Sequence, residues 1–193
     1  MWILEDFKLM FIHPPKTGGI SISVLLTDSG FQYTQKHLTE ELREKFFQFG
    51  NHHAPACLIP NINYDYTFST FRDPVERIKS AYNYRFRDQG KCMTFEEFVE
   101  KGICNYDSQS TELIFSIIKP QVEYYTEKCE VFLFSELQKL PERLRSRGVY
   151  IKGDIQHLNK SNKSDFIISN CLLEKIKDFY KEDYLFYEKY FEL

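Results

Sequence analysis

Short apolar runs alternate with stretches of helical spacing along the chain, which is the pattern of strands separated by helices. Leu9 to Ile12 is unbroken apolar sequence and predicts a buried strand, and Ile20 to Leu26 predicts a helix that ends near Asp28-Ser29-Gly30. A short strand is expected at 31–33. Thr39-Glu40-Glu41-Leu42 has a capping threonine and acids in the first turn, so a helix is expected from there to about Phe49. A loop of polar and breaker residues, Gly50 to Ala56, follows. Tyr66 to Phe71 is aromatic and β-rich and predicts a second strand. Asp73, Pro74 and Glu76 then read as cap, first helical position and capping-box partner of a helix whose Val75, Ile78 and Tyr82 share a face. Ser80 is rotated by roughly 160° from Tyr82 and is not required by that core face.

The second half continues the alternation. Thr94 starts a helix by the same logic as Thr39, and a helical segment is expected from Ser110 to Ile118, ending at Pro120. Glu130 to Phe134 predicts a strand and Ser135 to Arg145 a helix. A last helix is expected over about Leu172 to Phe191, with Leu172, Ile176, Phe179, Tyr180 and Tyr187 as a core stripe. No repeat, low-complexity tract or linker divides the chain. The expected architecture is therefore α/β, a single domain over 1–193, with a mostly parallel central sheet flanked by helices. Ligands of such sheets sit beyond the carboxyl ends of the strands.

Composition narrows the partners. The 193 residues carry a formal charge of −3, which gives no support for bulk binding to nucleic acid or an anionic membrane, so any basic site must be local. Cys57, Cys92, Cys104, Cys129 and Cys171 are widely spaced, without CxxC or a Cys/His cluster, and indicate neither a zinc site nor a disulfide framework. Asp6 and Lys8 interrupt the start of the chain, so no signal peptide or membrane span is expected.

Candidate chemistry concentrates after the two predicted strands. His13-Pro14-Pro15-Lys16-Thr17-Gly18-Gly19-Ile20-Ser21 joins the first strand to its helix. The glycines permit a tight turn, Lys16, Thr17 and Ser21 surround it with donors, and the backbone N–H groups at the helix start point at an anion. Lysine precedes the glycines here, unlike the nucleotide-triphosphate loop in which it follows the last one. After the second strand, Arg72 and Ser80 suit a phosphate monoester, because a guanidinium binds two of its oxygens in a fork.

Pro-Lys-Thr-Gly-Gly, and Arg-Asp-Pro-x-x-Arg followed by Ser-Ala-Tyr, resemble the donor-binding segments of carbohydrate sulfotransferases that use 3′-phosphoadenosine 5′-phosphosulfate (PAPS). Lys119-Pro120-Gln121, Val131 to Leu137, His157-Leu158-Asn159-Lys160-Ser161 and the tyrosine-rich terminal helix occur in similar order in that family, so the resemblance extends over nearly the whole chain. It implies a P-loop-like fold in which Lys16, Thr17, Gly18, Gly19, Ile20 and Ser21 hold the 5′-phosphosulfate and Arg72 and Ser80 the 3′-phosphate. Threonine is frequent in the family where this chain has Ile20, so there only the backbone N–H is on offer. Lys160 and Ser161 are further expected contacts, in a segment that closes over the nucleotide.

The resemblance further implies sulfuryl transfer to a hydroxyl of a carbohydrate (polysaccharide, oligosaccharide or glycolipid), with release of PAP (adenosine 3′,5′-bisphosphate) and no requirement for a metal. Lys16 is the expected partner of the leaving oxygen. The His52-His53 loop is the natural source of a base, since imidazole titrates near the operating range. His53-Ala54-Pro55-Ala56 fits the His-x-x-Ala pattern of similar bacterial proteins, which favours His53 over His52; the alternative is that the pair caps the loop or contacts substrate and a carboxylate is the base. His13 reads as a structural residue of the strand-to-loop turn. Arg85, Arg87, Lys91, Tyr106, Asp107 and Gln109 are either acceptor-cleft or surface residues. Many eukaryotic members carry a Golgi anchor; this chain is expected to be cytoplasmic, or a piece of an anchored protein. Two rival readings are a metal-dependent kinase using Lys16 in a variant loop, and a nucleotide-binding module without turnover.

Overall fold

The computed structural model describes residues 2–4, 9–31, 40–41, 44, 53–54, 65–84, 93–107, 117–156 and 167–191. Two compact units emerge, one of residues 1–71 and 123–159, the other of 72–122 and 160–193.

The first unit holds the sheet. Strands β1 (Trp2–Leu4), β2 (Leu9–Phe11), β3 (Tyr66–Phe71) and β4 (Cys129–Leu133) lie in that order across it. β1 pairs antiparallel with β2, while β2, β3 and β4 run parallel, so the expected mostly parallel sheet is present. Register is set by Phe11 opposite Phe68 and Phe71 opposite Leu133. Thr67 through Phe71 are buried in succession, as befits a strand covered on both faces. Helix α1 (Gly19–Asp28) returns from β2 and buries Ile22, Leu25 and Leu26 against Leu9, Phe11 and Phe68.

After β4 the sequence pattern predicts a helix from 135, but Phe134–Lys139 is a 3-10 helix that continues into α4 (Leu140–Ser146). The tighter winding eclipses residues three apart. It aims both Phe134 and Leu137 at Gly18, where an added Cβ would stand 3.0 Å from the ring and 2.6 Å from Leu137 Cδ1.

The second unit is helical. In α2 (Pro74–Tyr82), Asp73 caps the Glu76 N–H at 2.9 Å, while the Glu76 carboxylate bonds Lys79 instead of closing a capping box. Ser80, outside the predicted core face, is nevertheless buried. Helix α3 (Phe95–Cys104) has the full capping box between Thr94 and Glu97, and buries Phe95, Phe98, Val99 and Gly102 at helical spacing.

The predicted terminal helix is two, α5 (Asn170–Phe179) and α6 (Lys181–Phe191), with the break at Tyr180. Tyr180 is drawn into the core, where its hydroxyl donates to the Ile118 carbonyl at 2.6 Å. Residues 117–118 are helical, as predicted for the end of that segment; the remainder of it, the 31–33 strand beyond Phe31 and most of the 39–49 helix fall outside the described residues. No described helix is long and apolar enough to cross a membrane.

Arg77 organises this unit. It is 1% exposed, lies over the Tyr180 ring, and donates to three consecutive carbonyls, Ile117 (3.3 Å), Ile118 (3.1 Å) and Lys119 (2.6 Å). Those are end-of-helix carbonyls just before Pro120, which cannot continue the helix. Removing a buried charged donor from three acceptors costs about 3 kcal/mol or more. Arg77→Met is therefore expected to lower the urea midpoint by that equivalent. The exposed Arg143→Met, which breaks one surface pair with Glu130, should shift it by less than about 1 kcal/mol.

Candidate functional site

The segment leaving β2 has no neighbouring strand to satisfy its carbonyls, and side chains do so one after another. Ile12 still belongs to the ladder through its N–H, which donates to Phe68 at 2.9 Å. Its carbonyl accepts from Ser69 Oγ at 2.8 Å, that of His13 faces His53 Nδ1 at 2.9 Å, and that of Pro14 accepts from Thr17 Oγ1 at 2.8 Å. Thr70 Oγ1 then donates to Thr17 Oγ1 at 2.8 Å, tying the loop to the end of β3. Ser69, Thr70 and Thr17 are fully buried. Pro14 and Pro15 have no N–H to place, so the carbonyls are the groups that need partners.

With carbonyls turned inward, the loop crosses into α1 through two left-handed residues, Lys16 at φ 67° and Gly18 at φ 91°. For glycine that conformation is easy; for lysine it costs on the order of 1 kcal/mol, the kind of strain that functional loops retain. Gly18 is the N-cap of α1 and has no side chain with which to close its first turn. The first-turn N–H groups of a helix lack intrahelical partners, so this end is built to face negative charge.

Of the residues expected around an anion, the structure brings Lys16, Thr17, Gly18, Gly19, Ile20 and Ser21 together at this one turn. Lys16 is half-buried, Ser21 is buried, and Ile20 is 51% exposed with its side chain outward. Thr17 differs from expectation in one respect. Its hydroxyl proton is directed to Pro14, which leaves its backbone N–H as its contribution to the loop.

His13 has the structural place expected of it. Its ring stacks on Phe11 at 5.5 Å and lies so close to Gly19 that a Cβ there would fall 1.7 Å from Nε2. His53 meets His13 edge-on, with ring centroids 4.4 Å apart. Because a carbonyl only accepts, Nδ1 of neutral His53 carries the proton and Nε2 keeps the lone pair. His52, Lys160 and Ser161 lie outside the described residues, as do His157, Arg85, Arg87, Lys91 and Gln109.

In the second unit, Arg72 is the first residue beyond β3 and is half-buried. Burial pulls its pKa down, against the opposing pull of Glu76 and Asp73, and it remains a cation. Ser80 is buried two turns into α2. Gln121 grips the Arg72 backbone at both ends, and Asp183 in turn holds Gln121. Tyr106 packs on Phe179 at 5.1 Å and under the buried Lys119.

Ser69 and Thr70, which support the loop in the first unit, and Gln121 and Asp183, which support Arg72 in the second, were not foreseen in those places. The serine and threonine read locally as strand residues, and Gln121 and Asp183 acquire meaning only through partners 49 and 62 positions away. Among the described residues there is no group of three or more His, Cys, Asp or Glu placed to hold a metal ion.

No protein-family model and no curated protein sequence matches this chain. A solved structure does: that of a sulfotransferase from Alicyclobacillus acidocaldarius, with a TM-score of 0.55 over 94% of each chain at 15% sequence identity. That similarity establishes the fold, an α/β arrangement around a parallel sheet of the P-loop-like kind.

The contact between His13 and Gly19 gives a test of the loop. Gly19→Ala would normally favour a helix by roughly 0.5–1 kcal/mol, but here it is expected to destabilise by displacing the imidazole. In a double-mutant cycle with His13→Ala, the pair should couple by about 1 kcal/mol or more in the relieving direction, read from thermal melts.

Proposed function

We propose that this chain transfers a sulfuryl group from PAPS to a hydroxyl of a carbohydrate acceptor, giving a sulfate ester and PAP. The observation that carries the reading is the helix-start loop after β2, held with its carbonyls turned inward and its lysine in a left-handed turn. The order of the two motifs and the fold shared with a solved sulfotransferase support it further.

The residues fit such a donor. Gly18 and Gly19 have no room for a Cβ, the helix start offers N–H groups, and Arg72 supplies a guanidinium at the strand end. Thr17, Gly18, Gly19, Ile20 and Ser21 would hold the 5′-phosphate, with Thr17 and Ile20 acting through their backbone N–H. Arg72 and Ser80 would hold the 3′-phosphate, with Lys160 and Ser161 as further contacts. When bound, PAPS supplies an activated sulfuryl group attached through an oxygen that departs with the bisphosphate.

Lys16 offers that oxygen a compact positive charge, an interaction that strengthens as negative charge develops and therefore favours the transition state over the ground state. His53 takes the acceptor proton at Nε2, while its Nδ1–H stays on the His13 carbonyl and fixes the ring. The acceptor is read as a sugar from the sequence resemblance.

Calorimetric titration in EDTA should show PAP binding more tightly than ATP. Arg72→Ala is expected to weaken PAP by about 2 kcal/mol, roughly thirtyfold. ATP binding better than PAP, and only with Mg²⁺, would sink the reading in favour of phosphoryl transfer. With labelled PAPS and a panel of glycans, His53→Ala should leave PAP affinity unchanged and lower kcat by about a hundredfold or more. Undiminished turnover in that variant would remove His53 from the mechanism.

A further inference from the structure

Arg72 stands where β3 has ended, so both its backbone groups need a partner that the ladder no longer gives. One side chain supplies both. Gln121 Oε1 accepts from the Arg72 N–H at 2.9 Å, and Gln121 Nε2 donates to the Arg72 carbonyl at 2.8 Å. A carboxamide is the side-chain group that presents a donor and an acceptor side by side as a peptide does, so it acts as one more rung. Donor and acceptor are fixed by what they face, since the amide reversed would set N–H against N–H and oxygen against oxygen.

The rung is itself locked. The second Nε2 proton goes to Asp183 Oδ2 at 3.2 Å, the Gln121 N–H to the same oxygen at 3.0 Å, and the Val122 N–H to Asp183 Oδ1 at 3.0 Å. Gln121 and Asp183 are both fully buried. Two buried polar side chains, Gln121 and Asp183, are thus spent on fixing the peptide units on either side of one arginine. An ordinary strand end could leave those units to water at little cost.

We propose that Gln121 is a positioning residue for the donor's 3′-phosphate, acting through Arg72, and that Asp183 anchors it. This rests on the donor reading above. With the backbone on both sides of Arg72 pinned, its Cα–Cβ direction is set before ligand arrives, and less ordering remains to be done when the guanidinium closes on a phosphate. Selectivity for a 3′-phosphorylated nucleotide over its 5′-monophosphate counterpart is then a property of the clamp as well as of the arginine.

The test is calorimetry of the full chain with PAP and with 5′-AMP, for wild type, Gln121→Met and Gln121→Glu, with thermal melts alongside. Met keeps the bulk and removes both bonds to Arg72. Glutamate keeps the shape but sets a carboxylate against the Arg72 carbonyl and Asp183, so it should act at least as strongly and serves as the second variant if either fails to fold. Wild type is expected to prefer PAP. In the variants that preference should shrink about tenfold, with 5′-AMP affinity held within about twofold. An undiminished preference overturns the clamp and leaves the donor reading standing, and equal weakening of both nucleotides also overturns it by marking a general structural role. No preference for PAP in the wild type overturns the donor reading and the clamp together.

Discussion

A parallel strand that stops must hand its last backbone groups to something other than a neighbouring strand, and at the ends of β2 and β3 side chains take them. Beyond β2, Ser69, His53 and Thr17 take the carbonyls of Ile12, His13 and Pro14 in turn. Near the end of β3, Tyr125 donates to the carbonyl of Thr70, and just beyond the strand Gln121 takes both groups of Arg72. The consequence is electrostatic as well as geometric. Each carbonyl is the negative end of a peptide dipole, and turning three in succession into the protein removes those negative ends from the turn; the peptides after His13 and Pro14 end on proline nitrogens, so the N–H groups on offer are those of the start of α1. A site for a polyanion needs that bias before any lysine or arginine is added.

The same device explains the strain. Alternating inward carbonyls with a turn into α1 within a few residues requires φ to change sign, at Lys16 and at Gly18. Glycine at 16 would adopt that conformation without penalty. A lysine retained there brings a charge to the turn at a cost of on the order of 1 kcal/mol, against a total stability of only about 5–15 kcal/mol for a typical domain. The residue after Lys16 is held by two buried hydrogen bonds of the Thr17 hydroxyl, to Pro14 and Thr70, which oppose relaxation of the turn.

The parts legible in the sequence are those whose cause is local. The strand from Leu9, the Asp73-Pro74 helix start, the Thr94 helix start and the Gly-Gly turn each depend on residues within four positions of one another, and all are present. What was hidden depends on partners far along the chain. Ser69 looks like any half of a β pair until Ile12 is beside it, 57 residues away. Tyr180 looks like a continuing helical residue until Ile118 draws its hydroxyl inward, 62 residues away, and the helix breaks there. The 3-10 turn at 134–139 was hidden for the same reason. Its register answers to the bare Cα of Gly18, which no pattern within residues 134–139 encodes.

His53 marks the meeting of both kinds of information. Its residue type and loop are the grounds on which it is proposed as a base, a role that depends on which ring nitrogen carries the proton. The choice of nitrogen is made by the His13 carbonyl, which commits Nδ1. That carbonyl lies one residue past Ile12, whose N–H makes a ladder bond to Phe68 and whose own carbonyl is taken by Ser69. A single displacement of the loop by one residue would offer His53 a different carbonyl and turn its ring. The loop and the orientation of His53 are therefore one construction, and on the proposed reading substitutions that loosen the Ser69, Thr17 and Thr70 hydroxyls act on anion binding and proton transfer together.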